Sequence, residues 1–94
     1  MDFSAISDLT IVCVDKYISI NGQVYTAPDS MWDSLPNNLW SVQYHHGKVD
    51  VQYMDVQEGR EIPSNVFYNR IDQIPFASSF DWTPYVEPAP TPLP

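Results

Sequence analysis

Asn21-Gly22 lies between two β-prone runs, Tyr17-Ile18-Ser19-Ile20 and Gln23-Val24-Tyr25-Thr26. A two-residue type I′ turn needs positive φ at both central positions, and Asn-Gly meets that need with little strain. The pair therefore predicts a β-hairpin over residues 17–26 and biases the whole chain toward antiparallel sheet. Just before it, Leu9-Thr10-Ile11-Val12-Cys13-Val14 reads as a strand at the centre of a sheet, and Asp15-Lys16 as the polar turn leading out. Thirteen aromatics (3 Trp, 6 Tyr, 4 Phe) against 3 Gly point the same way, because aromatic side chains suit a half-buried pleated surface.

A second hairpin follows. Leu39 to Tyr44 and Val49 to Met54 both alternate in polarity around His45-His46-Gly47-Lys48, read as a four-residue loop. The opposed pairs are then Tyr44/Val49, Val42/Val51 and Trp40/Tyr53. All six fall on one face, predicted to be buried. Ser41, Gln43, Asp50 and Gln52 take the other face. A slip of one residue would mix the two sets, so the pattern specifies its own register. Between the hairpins, Asp29 or Ser30 is expected to cap a single helical turn that buries Met31, Trp32 and Leu35, with Pro36-Asn37-Asn38 ending it.

Beyond Met54 the pattern weakens. Asp55 to Glu61 is polar, contains Gly59 and reads as a loop. Asn65 fits either the cap of a short helix carrying Val66, Phe67, Arg70 and Ile71, or irregular chain. From Pro75 onward, aromatics without clean period lead into a tail with prolines at 84, 88, 90, 92 and 94. That tail cannot be helical and favours polyproline II geometry, reaching ~34 Å over the residues after Trp82-Thr83. In an extended strand, Pro88, Pro90, Pro92 and Pro94 would strip one edge of donors, while Ala89, Thr91 and Leu93 keep theirs on the other. The expected organisation is a mainly β domain over residues 1–75, with two hairpins, an N-terminal strand and one short helix, and an extended C-terminal arm over 76–94.

Charge narrows the functional classes. The chain carries 4 Lys+Arg against 12 Asp+Glu, formally −8. Lys16, Lys48, Arg60 and Arg70 are scattered, which argues against nucleic acid and against an anionic membrane surface. A signal peptide is not expected, since Met1-Asp2-Phe3-Ser4 lacks a cationic region and a long apolar stretch, and no run reaches transmembrane length. Cys13 is the one cysteine, so no intrachain disulfide can form, and it reads as a small buried hydrophobe.

Catalytic patterns are weak. His45-His46 is the only histidine pair, and neighbours in a loop point apart, so no metal-ligand spacing results. No serine stands in a nucleophile elbow, and Gly22, Gly47 and Gly59 are isolated. Neither enzyme activity nor a cofactor is expected. Interface anchors are a better fit. Trp32, Trp40, Phe80, Trp82 and Tyr85 exceed what one small core needs; Trp32 and Trp40 are expected in that core, while Phe76, Phe80, Trp82 and Tyr85 precede Pro88, Pro90, Pro92 and Leu93. These last eight residues are the predicted partner-binding set.

Several stretches resemble small tail-associated proteins of bacteriophages, including the N-terminal modules of some tail-fibre assembly proteins. They are Ile18-Ser19-Ile20-Asn21-Gly22-Gln23-Val24-Tyr25, Met31-Trp32 with Leu35-Pro36-Asn37-Asn38, Leu39-Trp40-Ser41-Val42-Gln43-Tyr44, and Gly47-Lys48-Val49-Asp50-Val51-Gln52-Tyr53. The likeness spans roughly Tyr17 to Ile62, about half the chain. Tyr44 stands where Trp is commoner in that family, and Asp50 where Glu is usual. The resemblance implies a role in building or decorating a tail, fibre or baseplate after synthesis in the host cytoplasm. Its partners would be other tail, fibre or baseplate proteins, in several copies within a symmetric assembly. It implies no catalytic residue. The rival expectation from composition is a small acidic cytosolic inhibitor that mimics nucleic acid and acts on a host enzyme.

Overall fold

The computed structural model describes residues 2–86. The chain forms one antiparallel seven-stranded sheet in the order β6-β5-β4-β1-β2-β3-β7. The strands are β1 (Asp8–Val12), β2 (Tyr17–Ile20), β3 (Gln23–Thr26), β4 (Leu39–His45), β5 (Lys48–Gln57), β6 (Arg60–Tyr68) and β7 (Thr83–Pro84). A single short helix, α1 (Asp29–Ser34), links β3 to β4, and 3-10 turns occupy Ile71–Gln73 and Ala77–Ser79. The fold is mainly β, as the turn chemistry and alternation require.

Three tight turns shape the sheet. Asn21-Gly22, His46-Gly47 and Glu58-Gly59 each place both residues at positive φ. Asn21 does more than turn the chain. Its side-chain Oδ1 accepts from the Ser7 N–H (2.8 Å), the Ser7 hydroxyl (2.9 Å) and the Asp8 N–H (3.1 Å). Its Nδ2 donates to the Ala5 carbonyl at 3.0 Å. One residue thus sets a hairpin and ties the chain's entry segment to it.

The inner face follows from register. Leu9 pairs with Ile20 and Tyr44, Ile11 with Ile18 and Val42, Val51 with Val42, and Val49 with Tyr44. Leu9, Ile11, Ile18, Val42, Val49 and Val51 are fully buried, each contributing about 1.5–3 kcal/mol through removal from water. Among the described residues, no long helix covers them. The cover is assembled from Met31 and Leu35 of the α1 region, Ile71, Ile74, Ala77 and Phe80, with Phe3, Ile6, Trp32 and Trp82 packed around them. The opposite face, including Thr10, Ser19, Gln43, Asp50 and Gln52, is turned to solvent. Helix α1 is entered through Pro28 without a side-chain cap, and it buries Met31 as expected.

Three sequence expectations require correction besides that of Ser41, which is expected on the wet face and is 6% exposed. The turn at residues 45–48 is tighter than a four-residue loop, because His45 pairs with Lys48. The Val42/Val51 and Tyr44/Val49 pairs survive this change, since both ends shorten together. Trp40 does not join the buried face. A β-bulge separates the pairs Leu39/Tyr53 and Ser41/Gln52, so Trp40 is the extra residue and is 38% exposed. Leu39 takes the inward place, and the Trp40 carbonyl accepts from the Cys13 N–H at 3.0 Å. Finally, Asp55 to Glu61 is not a loop. It is the end of a long hairpin whose return strand, β6, was not foreseen, and Asn65 caps no helix because it sits within that strand.

Candidate functional site

The aromatic residues expected to bind a partner divide sharply. Phe80 is 5% exposed and belongs to the core. Phe76 meets it edge-on at 5.8 Å, Phe3 edge-on at 6.1 Å, and Trp82 lies 5.0 Å away with a 33° tilt. Edge-to-face contacts of this kind add to the stabilisation from area alone. Phe76 and Trp82 are half-buried in the same cluster. These side chains therefore close the chain's own core, and the segment assigned to the arm begins inside the domain. The sheet needs this lid because it has no long helix above it.

Tyr85 is different. It is 51% exposed, and its N–H donates to the Val24 carbonyl at 3.0 Å, continuing the β3–β7 ladder of Tyr25/Pro84 and Thr26/Thr83. Pro88, Pro90, Pro92 and Leu93 lie outside the described residues.

The surface that the sequence reading missed is β6. All of its nine residues but the last are exposed. It is the outermost strand on its side of the sheet. β5 loses its other neighbour after Met54, whose N–H donates to the Asn38 carbonyl at 2.8 Å, and the Asn38 amide fixes Asp55 at 2.9 Å. Beyond that anchor, Val56 to Ile62 runs as a two-stranded ribbon clear of β4. Exposed apolar side chains gather here. Val56 is 70% exposed and Phe67 69%, with Ile62 and Val66 also open. They are carried on an edge that is unpaired among the described residues, the kind of edge to which another strand can add. Signals for β6 were present in Ile62, Ser64, Val66 and Tyr68, which alternate, and in Glu58-Gly59, a weaker relative of Asn-Gly. Pro63 masked them, since proline within a run argues against a central strand; here it stands on an edge.

Register shows how the edge is built. Gln57 pairs with Arg60 across the two-residue turn, so the pairs facing β5 continue through Ile62, Ser64, Val66 and Tyr68. Glu61, Pro63, Asn65 and Phe67 then direct their backbone groups outward. Pro63, which has no N–H, falls where none is needed by β5.

Chemical groups elsewhere are quiet. His45 and His46 are exposed with ring centroids 3.9 Å apart, and the His45 Nδ1–H donates to the Asp8 carboxylate. Among the described residues, no group of three or more His, Cys, Asp or Glu side chains is placed to hold a metal ion. Burial pushes the Cys13 thiol up to about 11, which keeps it protonated at neutral pH. A shallow cleft of about 320 Å³ is lined by Asp2, Phe3, Ile6, Tyr44, Arg70 and Asp72, where the Arg70 guanidinium already pairs with Asp72 at 3.0 Å. Among the described residues, no helix is long and apolar enough to cross a membrane. No protein-family profile, curated protein or solved structure matches the chain.

Proposed function

We propose that this chain is a non-catalytic bacteriophage tail component, structural or assisting fibre assembly, that works by protein–protein binding. The observation that carries the binding role is β6, a nine-residue outer strand with its apolar side chains in water. A strand in that position offers main-chain hydrogen bonds to an incoming chain, while alternate side chains supply selectivity. The stretches resembling tail-associated proteins supply the setting, with other tail, fibre or baseplate proteins as partners. An acidic mimic of nucleic acid finds less support. Asp8, Asp29, Asp50, Asp55 and Asp72 each hold a hydrogen bond or ion pair within the chain, which engages much of the acidic surface that a mimic would have to display.

Mass spectrometry of purified particles and of tail assembly intermediates tests this reading. The chain is expected at a fixed ratio to tail proteins in one or both. Its absence from both would overturn the assignment.

A further inference from the structure

The two ends of the sheet are unlike each other. At one end β6 presents the outward backbone groups of Glu61, Pro63, Asn65 and Phe67. At the other, β7 runs antiparallel along β3, with the Tyr85 N–H on the Val24 carbonyl. Continuing that register sets Val86 opposite Gln23, and β3 begins at Gln23. Residues from 88 onward therefore have no strand of this edge left to pair with.

Nor can they lie along the far edge of the same sheet. Six inter-strand spacings of about 4.8 Å separate β7 from β6, roughly 29 Å. From Val86 to Thr91 an extended chain spans at most ~18 Å. Any strand that this segment forms on a β6 edge must be formed on another molecule.

We propose that Pro88–Pro94 of one copy adds to β6 of a second copy as an antiparallel strand. In naming a second copy as partner, this rests on the binding reading above. The fit comes from matching patterns. With Thr91 opposite Asn65, Ala89 lies opposite Phe67 and Leu93 opposite Pro63. Ala89 and Thr91 each exchange two hydrogen bonds with their partners, and the Leu93 N–H donates to the Pro63 carbonyl, while Pro63, having no N–H, leaves the Leu93 carbonyl to solvent. The same register sets Pro88, Pro90 and Pro94 beside Tyr68, Val66 and Ile62, covering apolar groups now in water. Prolines on the outer edge then leave no donors for a further strand, so growth stops at one added strand.

Charge permits the contact. Although each chain carries −8, Pro88-Ala89-Pro90-Thr91-Pro92-Leu93-Pro94 is uncharged, and within β6 Arg60 and Glu61 cancel. Donor and acceptor edges differ, so the contact is head-to-tail and links copies into a ring or a filament.

The described residues up to 86 hold the whole sheet and core, so a chain ending at Val86 keeps its fold. The test uses light scattering and native mass spectrometry on the full chain, on the chain ending at Val86, and on full-length Thr91→Pro, which loses the central donor outside the core. A synthetic peptide of residues 84–94 is titrated into the truncated chain. The full chain is expected to associate as concentration rises, and the truncated chain to stay monomeric and bind the peptide. The Thr91→Pro change should weaken both association and peptide binding about tenfold or more. A monomeric full chain at ~100 µM with no peptide binding by the truncated chain would overturn the proposal. So would undiminished association of the truncated chain, which would point to β6 pairing with β6. Both results are independent of whether particles contain the protein.

Discussion

Val51→Asp tests the assignment of faces most directly. Val51 is fully buried between Val42 on β4 and Val66 on β5's other neighbour, β6. Removing its side chain from the core forfeits about 2 kcal/mol of burial. The carboxyl then has to be neutral to remain inside. Holding a group with an ordinary value near 3.9 in its protonated form at pH 7 costs about 1.4 kcal/mol per unit, roughly 4 kcal/mol in all. The sum, about 6 kcal/mol, is comparable to the entire stability of a small domain. The second contribution depends on pH in a defined direction. Burial raises the folded-state pKa of the new carboxyl, so the penalty is absent below about pH 4 and grows as pH rises. Urea unfolding at pH 7 and at pH 4.5 therefore should show a smaller deficit at the lower pH, each variant compared with wild type at the same pH. Val56→Asp is the internal control. It makes the same chemical change on the same strand, at a side chain mostly in water, and should cost no more than about 0.5 kcal/mol. Equal stability of the Val51 and Val56 variants would refute the face assignment and the register beneath it.

Asn21→Gly keeps a residue that tolerates positive φ but deletes the contacts to Ala5, Ser7 and Asp8; it should cost about 1–2 kcal/mol. Amide exchange at Ser7 and Asp8 should accelerate, and unchanged protection would show that the turn alone orders this segment. Native Cys13 should react with a maleimide at pH 8 at least tenfold more slowly than in urea, because burial raises its pKa. The fold favours the protonated thiol, so this contribution to stability is full below the ordinary value of 9 and fades as pH rises toward 11; Cys13→Ala should flatten that decline. The double change His45→Ala with His46→Ala should leave the fold and particle assembly intact, while stoichiometric zinc in the purified protein, lost in this variant, would contradict the reading.

Local turn chemistry and alternation were the most readable parts of the sequence. Asn21-Gly22 announces its hairpin, and the alternation of Val42, Tyr44, Val49 and Val51 specifies the pairing of β4 with β5. Alternation failed at Leu39-Trp40, where two large apolar residues adjoin and only the third dimension decides which is the bulge. β6 was hidden because Pro63 interrupts its alternation and almost nothing on it is buried, so the period-two pattern stays weak. Phe80 and Trp82 read as candidate anchors, yet both pack in the chain's own aromatic cluster, for a related reason. A sheet covered by short 3-10 turns must fill its lid with large side chains, and one sequence does not distinguish a lid from an adhesive surface. The outward edge of β6, in turn, emerges only from register.

The Phe3–Phe80–Trp82 cluster also sets the order of events during folding. The hairpins close over a few residues and can form early, whereas Phe3 and Phe80 meet only after all the chain between them has been made. β1 lies between β2 and β4, so it must be flanked by two elements synthesised after it. Until the final aromatics dock, Leu9, Ile11 and Val51 have a sheet around them but an incomplete roof. Until Phe80 and Trp82 are in place, that apolar floor is open to other chains, so the synthesis of this short segment is what closes the core.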